Sequence, residues 1–105
     1  MTEKVKKIYD SLDKLQLDNI KIYDLKNTHP LFDYVVIASA SNTRKLHAAV
    51  PHLRDDLECH IKYEGNNESK WLLIDLKDVI VHVMLNEERE YYGLDFIYHE
   101  YEWLN

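Results

Sequence analysis

The 105-residue sequence has one cysteine, no apolar run long enough to cross a bilayer, and none of the short motifs that usually announce catalysis. With Cys59 alone, neither an internal disulfide nor a thiolate zinc cluster can form. Asp75, Lys77, Asp78 and His82 break the longest apolar segment, and the N-terminal MTEKVKKIYDSLDKL lacks a signal-peptide core. These features predict a soluble, cytoplasmic chain with no membrane partner. Phosphate-loop, GxSxG and HExxH motifs are missing, as are repeats, linkers and low-complexity tracts, and no cofactor is expected. Positive charge is outnumbered, with 13 Lys and Arg against 19 Asp and Glu. The formal net charge is −6, which opposes binding to nucleic acid phosphates and favours a basic protein partner. The short basic groups at Lys4–Lys7 and Arg44–Lys45 read as solvated helix faces, so no primary nucleic-acid binding is expected.

What is present suits one compact domain over residues 1–105, since 46% of the residues are apolar and can form a single core. Val5, Ile8, Leu12 and Leu15 recur at helical spacing, which predicts a helix over about residues 3–15. Ile20–Leu25 alternates like an edge or half-buried strand, and Asn27–Pro30 marks a turn. Asp33–Ser39 is β-branched and almost wholly apolar, as in a central strand covered on both faces. Ser41–Asn42 offers a cap for a second helix running to about Cys59, with Pro51 bending it. A short strand at His60–Gly65 and the hairpin Trp71–Leu85 follow; then Asn86 is expected to cap a short helix that Gly93 ends. The tail from Leu94 fits either a helix or a strand. Hairpin-like neighbours predict a mixed α/β (α+β) domain, a mostly five-stranded mixed sheet flanked by helices.

The hairpin carries the functional question. With an even loop, Leu72, Ile74 and Leu76 share an apolar core face with Val79, Val81 and Val83. The other face then carries Trp71, Leu73 and Asp75 beside Ile80, His82 and Met84, a mixture of aromatic, aliphatic and polar groups. Such a face suits protein recognition, because Trp anchors are enriched in interface hot spots. The alternative is that helices cover it and Trp71 is core.

Catalysis has weaker support. His82 reads as a half-buried structural histidine, because no dedicated nucleophile or metal motif accompanies it. Asp75 and Asp78 stand three apart across a turn, whereas metal-binding carboxylate pairs project from one strand face at i and i+2. His47 and His52 are five apart on one helix and point to different sides, so no metal site is expected.

Four segments together, FDYVVIASASNTRKL (Phe32–Leu46), EG (Glu64–Gly65), WLLIDLKDVIVHVM (Trp71–Met84) and EEREYYGLDFIY (Glu87–Tyr98), resemble the ribosomal silencing factor family, also called Iojap-related. The resemblance covers about residues 1–98. It implies a nucleotidyltransferase-like fold without that activity, binding to large-subunit ribosomal protein L-fourteen, and a steric block to subunit joining that represses translation when nutrients are scarce. Carried onto this sequence, it marks Trp71, Asp75, Asp78, His82, Arg89 and Tyr92, with Leu73 beside them on the hairpin face, as partner-binding positions and implies no enzyme. The alternatives are a metal-dependent nucleotidyltransferase-like enzyme and a large-subunit assembly factor. An exposed strand edge and aromatic face make a homodimer off the ribosome a further expectation. The sequence departs from the family pattern at Ala40 and Lys77, both glycine there, and in the closing LDFIY (Leu94–Tyr98) with its extra tail to Asn105.

Overall fold

In a computed structural model, which describes residues 2–105, two helices pack on one face of a mixed sheet. Helix α1 (Glu3–Lys14) starts where the Thr2 hydroxyl accepts the Val5 N–H, and buries Val5, Ile8 and Leu12. Strand β1 (Asp18–Asp24) runs antiparallel to β2 (Tyr34–Ala40), all seven residues of which are buried. Helix α2 (Thr43–Leu57) is capped by the Asn42 side chain, which accepts the Lys45 N–H at 2.9 Å. Pro51 lies on its exposed side and α2 continues through it as one helix.

Strands β3 (Lys62–Glu64), β4 (Trp71–Asp75) and β5 (Val79–Leu85) form an antiparallel meander, and β5 joins β2 in parallel. The hairpin has the expected register: Trp71 pairs with Met84, Leu73 with His82 and Asp75 with Ile80. Helix α3 (Asn86–Tyr92) ends at Gly93, whose φ of 60° is the left-handed conformation that glycine adopts freely. A single turn, α4 (Leu94–Ile97), leads to a two-residue strand, β6 (Glu102–Trp103), on the outer side of β1. The order is β3-β4-β5-β2-β1-β6, so the five strands legible in the sequence gain a sixth.

Two local expectations change. Asn86 does not cap α3; Leu85 occupies that position, and the Asn86 amide instead donates to Asp18 Oδ2 at 3.0 Å. A partner 68 positions away in the chain thus engages Asn86, and no side chain caps the start of α3. The tail is helical at Leu94–Ile97 and extended only later, because Asn105 seals the edge of β1: its Oδ1 accepts the Ile22 N–H at 2.7 Å and its Nδ2 donates to the Ile20 carbonyl at 2.5 Å.

Gly65, the glycine of the EG pair, has φ +135°, and a Cβ there would run into Leu72 Cδ2. Leu72 is fully buried and cannot yield cheaply. Gly65→Ala is therefore expected to destabilise the fold by about 1–3 kcal/mol through overpacking and backbone strain. Urea unfolding checks this, and a loss within error of zero would show that the β3–β4 loop relaxes around the methyl group.

Candidate functional site

The two sheet faces are unequally covered. Beneath α1 and α2 lie Val36, Ala38, Leu72, Ile74, Val81 and Val83. The opposite face holds a smaller cluster of Tyr23, Val35, Ile37, Ile80, Met84 and Leu94, with Trp71, Leu73 and Tyr98 half-buried at its margin. It is shielded only in part by the segment after β5.

Alternation along β4 and β5 places Trp71, Leu73 and His82 on this second face. The indole N–H of Trp71 donates to Nδ1 of His82 at 3.1 Å. An indole nitrogen can only donate, so Nδ1 must be unprotonated and His82 is the neutral Nε2–H tautomer. Burial pushes its pKa down to about 4. The bond fixes the two rings against each other, so the histidine orients the tryptophan.

Around this pair the rings form a track. Tyr92 lies 5.3 Å from Trp71, between centroids, and Tyr91 stands edge-on to Tyr92 at 5.0 Å. On the other side Tyr98 lies 6.3 Å from His82 and stacks on Tyr23 at 5.7 Å. Tyr91 and Tyr92 are exposed, and Phe96 and Ile97 on α4 are 73% and 62% exposed, far more than a closed domain needs. Exposed Glu87 on α3, and Asp75 and Glu64 at the other end, put carboxylates on the rim of the face, with exposed Lys62 opposite Asp75.

Of the residues singled out from the sequence, Trp71, Leu73, His82 and Tyr92 come together here, with Asp75 exposed at the end of β4. Asp78 stands apart. Its carboxylate pairs with Lys4 Nζ at 2.6 Å, which holds its pKa below the ordinary carboxylate value, while its carbonyl accepts the Asp33 N–H. Arg89 is buried at the other end of the molecule. Its guanidinium grips Asp95 through Nε at 2.8 Å and Nη2 at 3.0 Å, and Nη1 donates to the Asn19 carbonyl at 2.7 Å and to Ser39 Oγ at 3.2 Å. Burial alone would raise the Asp95 pKa, but Arg89 holds it below the usual value; Tyr23, buried beside that carboxylate, is pushed up to about 12. Arg89 and Asp78 thus brace the frame that carries the face. Tyr91, Phe96 and Tyr98 escaped sequence reading; the signal was six aromatic residues between Tyr91 and Trp103.

A second cluster imitates an active site. Ser11 Oγ lies 2.9 Å from Nδ1 of His52, and Asp56 Oδ2 lies 3.5 Å from the same nitrogen. A nucleophilic triad needs serine on one ring nitrogen and the acid on the other. Ser11 is also 1% exposed, so the trio ties α1 to α2 and has no access to substrate. His47 faces elsewhere, its Nε2 buried without a hydrogen-bond partner. Among the described residues no group of three or more His, Cys, Asp or Glu side chains is placed to hold a metal ion, and no helix is long and apolar enough to cross a membrane.

Fold and face together define a small mixed-sheet α/β domain with one uncovered aromatic flank. The whole chain, residues 1–105, matches the family described as "Ribosomal silencing factor during starvation", and the protein belongs to that family. It is 30% identical over 87 residues to ribosomal silencing factor RsfS of Bacillus subtilis, covering 79% of this chain and 74% of that protein. It is 33% identical over 95 residues to RsfS of Zymomonas mobilis, covering 87% and 71%. A 70-residue stretch is 39% identical to mouse "Mitochondrial assembly of ribosomal large subunit protein 1", covering 60% of this chain and 31% of that one. A crystal structure of a Chromobacterium violaceum protein superposes with a TM-score of 0.84 at 28% identity, over 92% of this chain and 84% of that one.

Proposed function

We propose that this protein is a ribosomal silencing factor that binds the large ribosomal subunit through ribosomal protein L-fourteen and blocks joining of the small subunit by occupying its docking face. The observation that carries the proposal is the aromatic track through Trp71, with carboxylates on its rim. It presents rigid apolar area at the centre and rim carboxylates suited to a basic ribosomal protein. The names of its relatives, silencing factors in bacteria and an assembly protein of the large subunit in mouse, support the same particle as partner.

Action by occupancy needs no turnover. The two hairpin aspartates are engaged separately, Asp75 by the Lys77 N–H at 2.9 Å and Asp78 by Lys4, which does not favour a two-carboxylate metal centre. A nucleotide titration with Mg²⁺ discriminates: saturable, Mg²⁺-dependent binding would favour the nucleotidyltransferase-like alternative. Off the ribosome, the same face and the exposed Phe96 and Ile97 could pair with a second copy, and partner and copy would then compete for one surface.

Trp71 is the proposed anchor. Trp71→Ala should weaken binding to large subunits by about 2 kcal/mol or more, roughly thirtyfold. Its ring is half-buried, so the accompanying loss of stability should fall below the ~3–5 kcal/mol of a fully buried aromatic. Trp71→Phe keeps the ring, loses the donor to His82, and should bind at an intermediate level. Co-sedimentation beside urea unfolding reads both effects; a folded Trp71→Ala variant that binds at wild-type affinity would remove Trp71 from the interface. Affinity should also fall severalfold with added salt, since the chain carries −6 and its partner is basic. Salt-independent binding would count against the rim carboxylates as contributors.

A further inference from the structure

The corner where α1 begins, α2 ends and β4 turns into β5 reverses the character of the rest of the molecule. A half-open cavity of about 810 Å³ lies there, within the roughly 300–1,000 Å³ usual for small-molecule sites. Phe32, Leu57 and Leu76 give it an apolar floor. Lys4, Lys7, Lys62 and Lys77 also line it, against the carboxylates of Glu3 and Asp75. Lys4 is already committed, its ammonium donating to Asp78 at 2.6 Å and to the Leu76 carbonyl at 2.5 Å. The exposed Lys7, Lys62 and Lys77 then outnumber Glu3 and Asp75 by one, a local excess of positive charge in a chain whose net charge is −6.

Lys77 adds a separate observation. Its φ is +74°, a left-handed conformation that strains a residue with a Cβ and that glycine adopts freely. The turn would form more easily with glycine, yet it places an ammonium beside the cavity.

We propose that this cavity binds a small amphipathic anion, in which an aromatic or acyl body rests on Phe32, Leu57 and Leu76 and a sulfonate, carboxylate or phosphate head meets Lys7, Lys62 and Lys77. A cation is disfavoured by the lysines. A bare inorganic anion would leave the apolar floor unused. The cavity adjoins the far end of the aromatic face, sharing Asp75 with its rim, but holds none of the track's rings, and the proposal does not depend on the ribosomal reading.

Cys59 is the single thiol of the chain, is exposed, and lies in the lining, so its reactivity reports occupancy of this cavity. The probe is 8-anilinonaphthalene-1-sulfonate added to the intact chain, with fluorescence reading affinity and iodoacetamide alkylation of Cys59 reading location. The expected result is saturable binding at one site, with alkylation slowed severalfold at saturation and no displacement by inorganic phosphate. The double variant Lys7→Gln, Lys77→Gly should bind roughly tenfold more weakly, the weight of a lost charge-assisted contact. It should remain folded, since Lys7 is exposed and glycine relieves the turn. The uncharged analogue N-phenyl-1-naphthylamine should bind more weakly than the sulfonate. Binding that leaves the alkylation rate unchanged would put the probe on the aromatic face and overturn the proposal. So would equal affinity for wild type and double variant, or no saturable binding to wild type.

Discussion

Replacing Arg89 with methionine is expected to lower the unfolding free energy by about 2–3 kcal/mol, below the loss for a fully buried ion pair because the Asp95 carboxylate left behind is about a third exposed. The guanidinium lies between α3, α4, β1 and β2, and its bonds to Asp95, Asn19 and Ser39 help fasten the segment after β5 to the sheet. Without it the Asp95 carboxylate faces the Tyr23 hydroxyl alone, at 3.2 Å, and the Asn19 carbonyl loses its donor. Lysine should not rescue, because a single ammonium cannot reach Asp95 with two parallel bonds while also serving β1. Denaturant unfolding of Arg89→Met and Arg89→Lys tests this. A loss of less than ~1 kcal/mol in both, the scale of a surface pair, would show that the clamp is dispensable. Because Tyr92 and Tyr98 are carried on the clamped segment, binding to large subunits should weaken in these variants although Arg89 touches no partner.

Acid should lower the stability of the fold in two separable stages, the first set by His82. Above pH 6.5 the ring is neutral in folded and unfolded chains and has no effect on the balance. Between 6.5 and about 4 the unfolded chain takes up a proton that the buried ring refuses, so stability falls as the pH falls. At about 1.4 kcal/mol per pH unit, that window is worth roughly 3 kcal/mol. Below it both states bind the proton and this loss stops growing. Asp78 and Asp95, held low by Lys4 and Arg89, keep their contribution until the pH drops through the carboxylate range, so their loss comes later. Urea midpoints at about pH 7 and about pH 4.5 should differ strongly in wild type and much less in His82→Gln, which cannot titrate. Equal pH dependence in the two proteins would mean that the ring is not held neutral. The indole N–H on Nδ1 is part of the same arrangement, so Trp71→Phe should soften the effect.

The hairpin was legible because its information is local. A period of two over Trp71–Leu85 sorts side chains onto two faces whatever lies around them, and the register follows from the loop. The buried strand Tyr34–Ala40 and the helix positions Leu46, Ala49, Val50 and Leu53 were readable for the same reason. What could not be read was partnership over distance. Asn86 sits where a cap belongs and bonds to Asp18; Asp78 sits in a turn and pairs with Lys4 across 74 positions of chain. Arg89 lies in a motif that invites a contact role, and only the return of β1 beside α3 buries it. The tail was ambiguous because four residues of helix and two of strand carry too little periodicity to separate, and what fixes them is the seal of Asn105 on β1. The aromatic track crosses five segments, and no local pattern links Tyr98 to Trp71.

The central claim is that the sheet face bearing Trp71 and Tyr92 is the one that meets the large subunit. Photocrosslinking tests it most directly. A benzophenone side chain placed at exposed Tyr92 lies beside Trp71, whereas one at exposed Asp13 on α1 lies on the helical face. With purified large subunits, the Tyr92 position should yield one dominant crosslink to ribosomal protein L-fourteen, and the Asp13 position should yield none to it. Crosslinking to that protein from Asp13 and not from Tyr92, while both variants still sediment with the subunit, would contradict the account.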